Sequence, residues 1–263
     1  MPLPKVGLAL GAGAFRGLAH IGILDVLERE GIPIDRIAGT SIGALVGACY
    51  ASGMRPDALE TAARNFNEAS YLDVVIPREG LLAGNKLMSL VKELTGGKTF
   101  AEAIIPFAAV ACDFITTETV VLQDGPMYEA VRASVSIPGV FVPVEREGRT
   151  LVDGGIVDRV PADVCRALGA DIVIGVDVGY RGQEVETRGI IEHVMHAYDI
   201  LEWQSAKLHA SEADVMITPD VLNINPARIG NRALECIERG REAAAAALDR
   251  VRELLGRGEW VGR

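Results

Sequence analysis

Apolar residues along the chain fall into short solid runs, separated by stretches in which they recur at every third or fourth position. "KVGLAL" (5–10) is such a run, ends in glycines and predicts a buried strand. Residues 17–30 place Leu18, Ile21, Leu24 and Leu27 on a helical stripe, closed by Gly31 as a C-terminal cap with Pro33 beyond it. "DRIAGT" (35–40) is a second short strand. After it, Ile42, Leu45, Val46, Cys49 and Tyr50 fall at i, i+3, i+4, i+7 and i+8, which predicts an amphipathic helix.

Residues 57–66 and 86–94 read as further helices, joined by a loop with Pro77 and several glycines. "FAAVACDFITTETVVL" (107–122) reads as two strands with a tight turn near Thr116 and Thr117. "ADIVIGVDVG" (170–179) is another buried strand, and "ADVMIT" (213–218) the last, lying between long helices at 188–211 and 231–256. Strands alternating with helices predict an α/β fold of three layers, α/β/α, with a mostly parallel central sheet. With no internal repeat and no linker, residues 1–263 read as one domain.

Composition narrows the function classes. Hydrophobic residues make up 49% of the chain, enough for a sizeable core. The net charge of −10 disfavours nucleic acid as a partner and disfavours bulk attraction to anionic bilayers. A local apolar surface can still meet lipid, so peripheral membrane contact stays open. Cys49, Cys112, Cys165 and Cys236 are far apart in apolar runs and match neither a disulfide framework nor zinc-ligand spacing. They read as reduced core residues of a cytoplasmic protein. The N-terminal apolar run meets Arg16 and His20 at once, so it reads as strand and glycine loop rather than signal peptide. No stretch approaches the 18 or more uninterrupted apolar residues of a membrane span.

Three segments carry candidate chemistry. Gly39-Thr40-Ser41-Ile42-Gly43 is a G-x-S-x-G motif between a predicted strand and a predicted helix. A nucleophilic serine needs that company: flanking glycines let strand and helix close on each other while the hydroxyl stands out of a strained turn. The plainer alternative is a serine capping the helix. "LGAGAFRG" (10–17) is a glycine-rich loop whose successive N–H groups can bind an anion. Its glycine spacing misses the dinucleotide fingerprint by one residue and no G-K-[ST] follows, so an oxyanion hole suits it better than a phosphate loop. "LVDGGIVDRVP" (151–161) puts Asp153 at a strand end before Gly154 and Gly155, placed as a base would be, although Asp-Gly is also an ordinary turn pair.

A Ser-His-Asp triad finds no good histidine. His20 precedes the serine on the first predicted helix, and His193, His196 and His209 all fall inside one long predicted helix. A Ser–Asp dyad gains by elimination. The three segments together resemble the patatin-like phospholipases, and most closely their small bacterial single-domain members. The likeness extends to "AHIGIL" (19–24), "RASVSIPGVFVPV" (132–144) and "DRVP" (158–161), covering most of residues 5–178 and fading through the helices of 188–256.

That resemblance implies a serine lipid acyl hydrolase of the carboxylic ester hydrolase or phospholipase A type, with no metal and no cofactor. By match to the motifs, Ser41 is the nucleophile and Asp153 the general base. The backbone N–H groups of Ala12, Gly13 and Ala14 form the oxyanion hole, and Arg16 anchors the loop or the leaving group. Gly39, Gly43, Gly154 and Gly155 support the turns. The family usually has glycine where this chain has Ala12 and Ala14, so a positive φ at either position would be strained. Segments 66–106 and 188–208 are the expected walls of an acyl pocket, with Met88, Leu90, Tyr198, Leu201 and Trp203 as candidate lining. An acyl-binding regulatory module and an acyltransferase remain alternatives at this stage.

Overall fold

The computed structural model describes residues 4–76, 79–187, 189–208 and 213–256. Its first half runs β1 (Val6–Leu10), α1 (Ala19–Arg29), β2 (Arg36–Thr40), α2 (Ile42–Ala51), α3 (Pro56–Asn65), β3 (Gly80–Leu82), α4 (Asn85–Leu94) and β4 (Phe107–Asp113). There follow β5 (Thr119–Leu122), α5 (Met127–Ser134), β6 (Gly139–Phe141), β7 (Val144–Arg146) and β8 (Arg149–Asp153). The chain closes with α6 (Ala162–Ala167), β9 (Ile172–Val176), α7 (Ile190–Leu208), β10 (Val215–Ile217) and α8 (Ala233–Leu255).

The main sheet has the order β10-β9-β1-β2-β4-β8-β7, with β5 also paired to β4. It is parallel from β10 through β4, and β5, β8 and β7 join antiparallel. Both faces are covered, which is why its strands read as solid apolar runs rather than alternating ones. Leu8, Leu10, Ile37, Ala109, Ala111, Ile174 and Val176 point into the main core with α1, α2, α5 and α8. Their neighbours Ala9, Ala38, Ala108, Val110 and Val173 point the other way, onto Ala162, Val164 and Cys165 of α6. The expected three layers are present, the second helical layer being thin.

Two helices differ from their expected patterns. α2 is not one-sided: Gly43, Ala44, Val46, Gly47, Ala48, Cys49 and Ala51 are all buried, because the helix runs through the core rather than over it. α7 is inverted. Its buried stripe is Met195, Tyr198, Asp199 and Glu202, at i, i+3, i+4 and i+7, while Ile190, Ile191, Ile200 and Leu201 face outward. A helix that turns acids inward and isoleucines outward answers to something other than core packing.

α5, α6, β3, β6 and β7 have no counterpart among the predicted elements. α6 spans only 6 residues, too short to show a period. α5 buries Arg132 and Ser134 beside its apolar residues, which masks its stripe. Pro77 and residues 188 and 209–211 of the expected helix, His209 included, lie outside the described residues. The four cysteines are free and buried. Among the described residues no helix is long and apolar enough to cross a membrane.

Candidate active site

Strand register brings the two candidate catalytic residues together from 112 positions apart in the chain. On one side of β4, Thr40 pairs with Val110, so Ser41 follows at the level of Ala111. On that same edge of β4, beyond the end of β2, Asp153 pairs with Ala111 itself, β5 taking the opposite edge. The serine and the carboxylate thus meet where β2 and β8, running toward each other along one edge of β4, both end.

Ser41 occupies the sharp turn between β2 and α2 at φ 55° and ψ −123°, a conformation that costs a non-glycine residue on the order of 1–3 kcal/mol. The surroundings hold it there. Its N–H donates to Ser134 Oγ (2.8 Å), and that hydroxyl donates to the Val110 carbonyl (2.5 Å). Neither flanking glycine could carry a side chain: a Cβ on Gly39 would lie 2.5 Å from the Gly43 carbonyl oxygen, and one on Gly43 would lie 2.0 Å from that of Leu10. Ser41 is 4% exposed and Asp153 fully buried.

Ser134 was not among the predicted site residues, although it lies in the "RASVSIPG" stretch. Ser134→Ala is expected to leave the Ser41 amide and the Val110 carbonyl without a partner, costing about 1–3 kcal/mol. Urea denaturation checks this; an unchanged midpoint would refute the anchoring role.

Asp153 ends β8. Its own N–H donates to the Ser136 carbonyl (3.0 Å), and its Oδ1 accepts from the Gly155 N–H (2.9 Å). Gly154 is obligatory for space, since a Cβ there would lie 2.5 Å from the Val110 carbonyl oxygen. Burial pushes the carboxyl up to about 6, and the Ser41 hydroxyl, the Gly155 amide and the Tyr198 hydroxyl pull the other way. The Ser41 hydroxyl is close enough to act on the carboxylate but stops short of a completed hydrogen bond, for Oδ2 has none.

The glycine loop after β1 is tied at its start. Gly11 N–H donates to the Val176 carbonyl (3.0 Å) and Ala12 N–H to that of Arg159 (2.9 Å). Of the three expected oxyanion donors, Ala12 is therefore already engaged, while the Gly13 and Ala14 amides bond no other described residue. Ala14 sits at φ 48°, in the left-handed region that favours glycine. Ala12 shows no such strain.

Arg16 is the loop's anchor. It is 1% exposed, grips both carboxylate oxygens of Asp199 on α7 (3.1 and 3.0 Å) and donates to the Ile224 carbonyl (3.2 Å). Among the described residues, no histidine bonds Ser41. His20 is buried with Nε2 on the Gly11 carbonyl (2.8 Å), and burial lowers it to about 4. His193 bonds Gly189 and Thr187 near the start of α7, and the His196 ring meets Tyr180 edge-on.

Of the expected pocket lining, Tyr198 reaches the site, its hydroxyl 3.5 Å from the Asp153 carbonyl oxygen. Leu201 faces solvent, Trp203 packs on Tyr180, Leu90 lines a surface hollow and Met88 is half-buried on α4. A small apolar cluster of Leu82, Ile137, Val140, Met195 and Tyr198 packs against Ala14 and Ile156, beside the glycine loop and the Asp153 turn.

A sharp strand-to-helix turn carrying a serine on a mostly parallel sheet, level with a buried carboxylate, defines the molecule as an α/β protein with an elbow-type turn. The patatin-like phospholipase family model matches residues 8–166, and the chain belongs to that family. An uncharacterized NTE family protein of Mycobacterium tuberculosis is 39% identical over 178 residues, covering 66% of this chain and 49% of the relative. Patatin-like phospholipase domain-containing protein 7 of Rattus norvegicus is 34% identical over 186 residues, 68% of this chain and 14% of that protein. The matched region thus spans half the length of the relative from Mycobacterium and a seventh of the one from rat. The fold is also similar to the crystal structure of VipD from Legionella pneumophila, with a TM-score of 0.58 at 14% identity over 95% of this chain and 67% of that one.

Proposed function

We propose that this chain is a lipid acyl hydrolase, a carboxylic ester hydrolase of the phospholipase A type, working through a Ser41–Asp153 dyad and an acyl-enzyme. The observation that carries the reading is the strained Ser41 turn held level with a buried, half-satisfied carboxylate. Ser41 Oγ bonds to the ester carbonyl carbon while its proton passes to Asp153 and the π electrons move to the carbonyl oxygen. The Gly13 and Ala14 amides stabilise that oxyanion, one such donor being worth roughly 3 kcal/mol. As the tetrahedral centre collapses, the leaving alcohol takes the proton from Asp153. Water then attacks the acyl carbon as its proton passes to Asp153, and collapse of that centre releases the acid while Ser41 Oγ takes the proton back from Asp153.

A buried Ser41 requires the apolar cluster over the site to shift before a long acyl ester can enter. Leu72, Val74 and Ile76 near β3, and Ile190 and Ile191 at the start of α7, are exposed on elements that supply this cover. They suit peripheral contact with a lipid surface, where cover and substrate meet. The free, buried cysteines fit a cytoplasmic setting.

An organophosphonate probe tests the reading directly. The expected result is a single adduct on Ser41, slowed by competing p-nitrophenyl esters, with ester turnover that continues in EDTA and favours longer acyl chains. A wild-type protein that neither turns over esters nor takes the label would overturn it.

A further inference from the structure

Glu202 is 2% exposed on the inward stripe of α7, and its Oε1 has no hydrogen-bond partner. That oxygen lies against the turn after the base: a Cβ placed on Gly155 would be 1.8 Å from Glu202 Oε1 and 3.1 Å from the Tyr198 hydroxyl. Gly155 is also the residue whose amide orients Asp153 Oδ1 (2.9 Å), and Asp153 Oδ2 is likewise unpartnered. Two carboxyls sealed from solvent therefore meet across one glycine.

The surrounding charges do not neutralise a second anion there. Arg16 and Arg159 face the pair, but Arg16 is held by Asp199 (3.0 Å) and Arg159 by Asp177 (3.0 Å). Tyr198 and Cys112 complete the titratable groups around Asp153, and both favour their neutral forms because of burial. An ionised carboxylate without partners is heavily disfavoured in such a place, and a second charge across the same glycine makes it more so. A leucine would fill the same space without that penalty, so packing alone does not account for a glutamate.

Building on the hydrolase reading above, we propose that Asp153 and Glu202 hold one proton between them, Glu202 keeping it and serving as a positioning residue for the base. The neutral carboxyl fills the space behind Gly155, keeps water from Asp153 and leaves the single negative charge to the residue that must accept the Ser41 proton. Burial, with the Asp153 charge next, drives Glu202 well above the usual carboxylate range, and Arg159 and Arg16 oppose this.

Thermal melts of wild type and Glu202→Gln between pH 4 and 9 test the shared proton without any substrate. A carboxyl that stays protonated when folded but ionises when unfolded stabilises the fold only at low pH, and that stability drains away as pH rises. Glu202→Gln is therefore expected to gain on wild type steadily as pH rises; a gap that does not change with pH overturns the shared proton.

The positioning role is read from kcat/KM against pH on a p-nitrophenyl ester. Glu202→Gln keeps the wild-type acid limb, whereas Glu202→Ala admits water and moves that limb down by roughly one pH unit. Identical limbs in all three proteins overturn the role. A wild type with neither turnover nor Ser41 labelling removes the hydrolase reading and the positioning role together, while the melts still decide the proton.

Discussion

Asp153→Asn is expected to lose ester hydrolysis by about three orders of magnitude and yet melt above wild type at pH 7. The loss follows because an amide cannot take the Ser41 proton. The gain follows from linkage. Asp153 is raised to about 6 in the folded protein. A carboxyl shifted that way stabilises the fold below its unfolded value near 4 and has forfeited that stability once the pH passes 6, a difference on the order of 3 kcal/mol. Asparagine never forfeits it and can still accept from the Gly155 amide. Several degrees of added melting temperature are expected for a domain of this size. For the same reason wild-type kcat/KM should rise as pH increases through about 6 and level off above it. An Asp153→Asn protein of full rate, or one that melts below wild type at pH 7, would refute this account. Ser41→Ala should match the loss of rate, and Ser41→Gly should in addition melt higher than Ser41→Ala, because glycine relieves the φ of 55°.

Gly43→Ala is expected to destabilise the fold by roughly 3 kcal/mol or more, chiefly by forcing α2 away from the end of β1. The new Cβ would lie 2.0 Å from the Leu10 carbonyl oxygen and 2.5 Å from its carbon, and backbone cannot step aside as a flexible side chain can. Gly39→Ala meets the Gly43 backbone at 2.5 Å and should act similarly. Neither glycine has a positive φ, so space and not conformation is what they supply. Gly189→Ala is the control, because a Cβ there meets nothing within 4 Å. Denaturant midpoints for Gly43→Ala and Gly189→Ala that agree would count decisively against the close approach.

Much of this was legible in the order of residues. Solid apolar runs locate β1, β2, β4 and β9, since a strand buried on both faces has no polar positions to alternate. The helical periods of α1, α3 and α4, and the cap at Gly31 with its φ of 67°, were equally plain. The glycines about Ser41 point to a sharp turn because few other local structures need two absent side chains four residues apart. The motifs of the glycine loop, the serine and the aspartate, taken in order, carry the family.

Tertiary structure alone decided the rest. Nothing local places Ser41 level with Asp153; the register of β2 and β8, end to end along one edge of β4, does so. Ala12 looked equal to Gly13 and Ala14 as a donor until the Arg159 carbonyl, distant in sequence, claimed its amide. On α7 the stripe of Met195, Tyr198, Asp199 and Glu202 lies in the sequence, but of the expected lining there Tyr198 is buried while Leu201 faces outward, because what packs on the helix chose the face that carries two acids. Local sequence sets which conformations a segment favours. Which oxygen stays unpaired, and which acid is sealed beside another, depends on what packs against it from elsewhere in the chain.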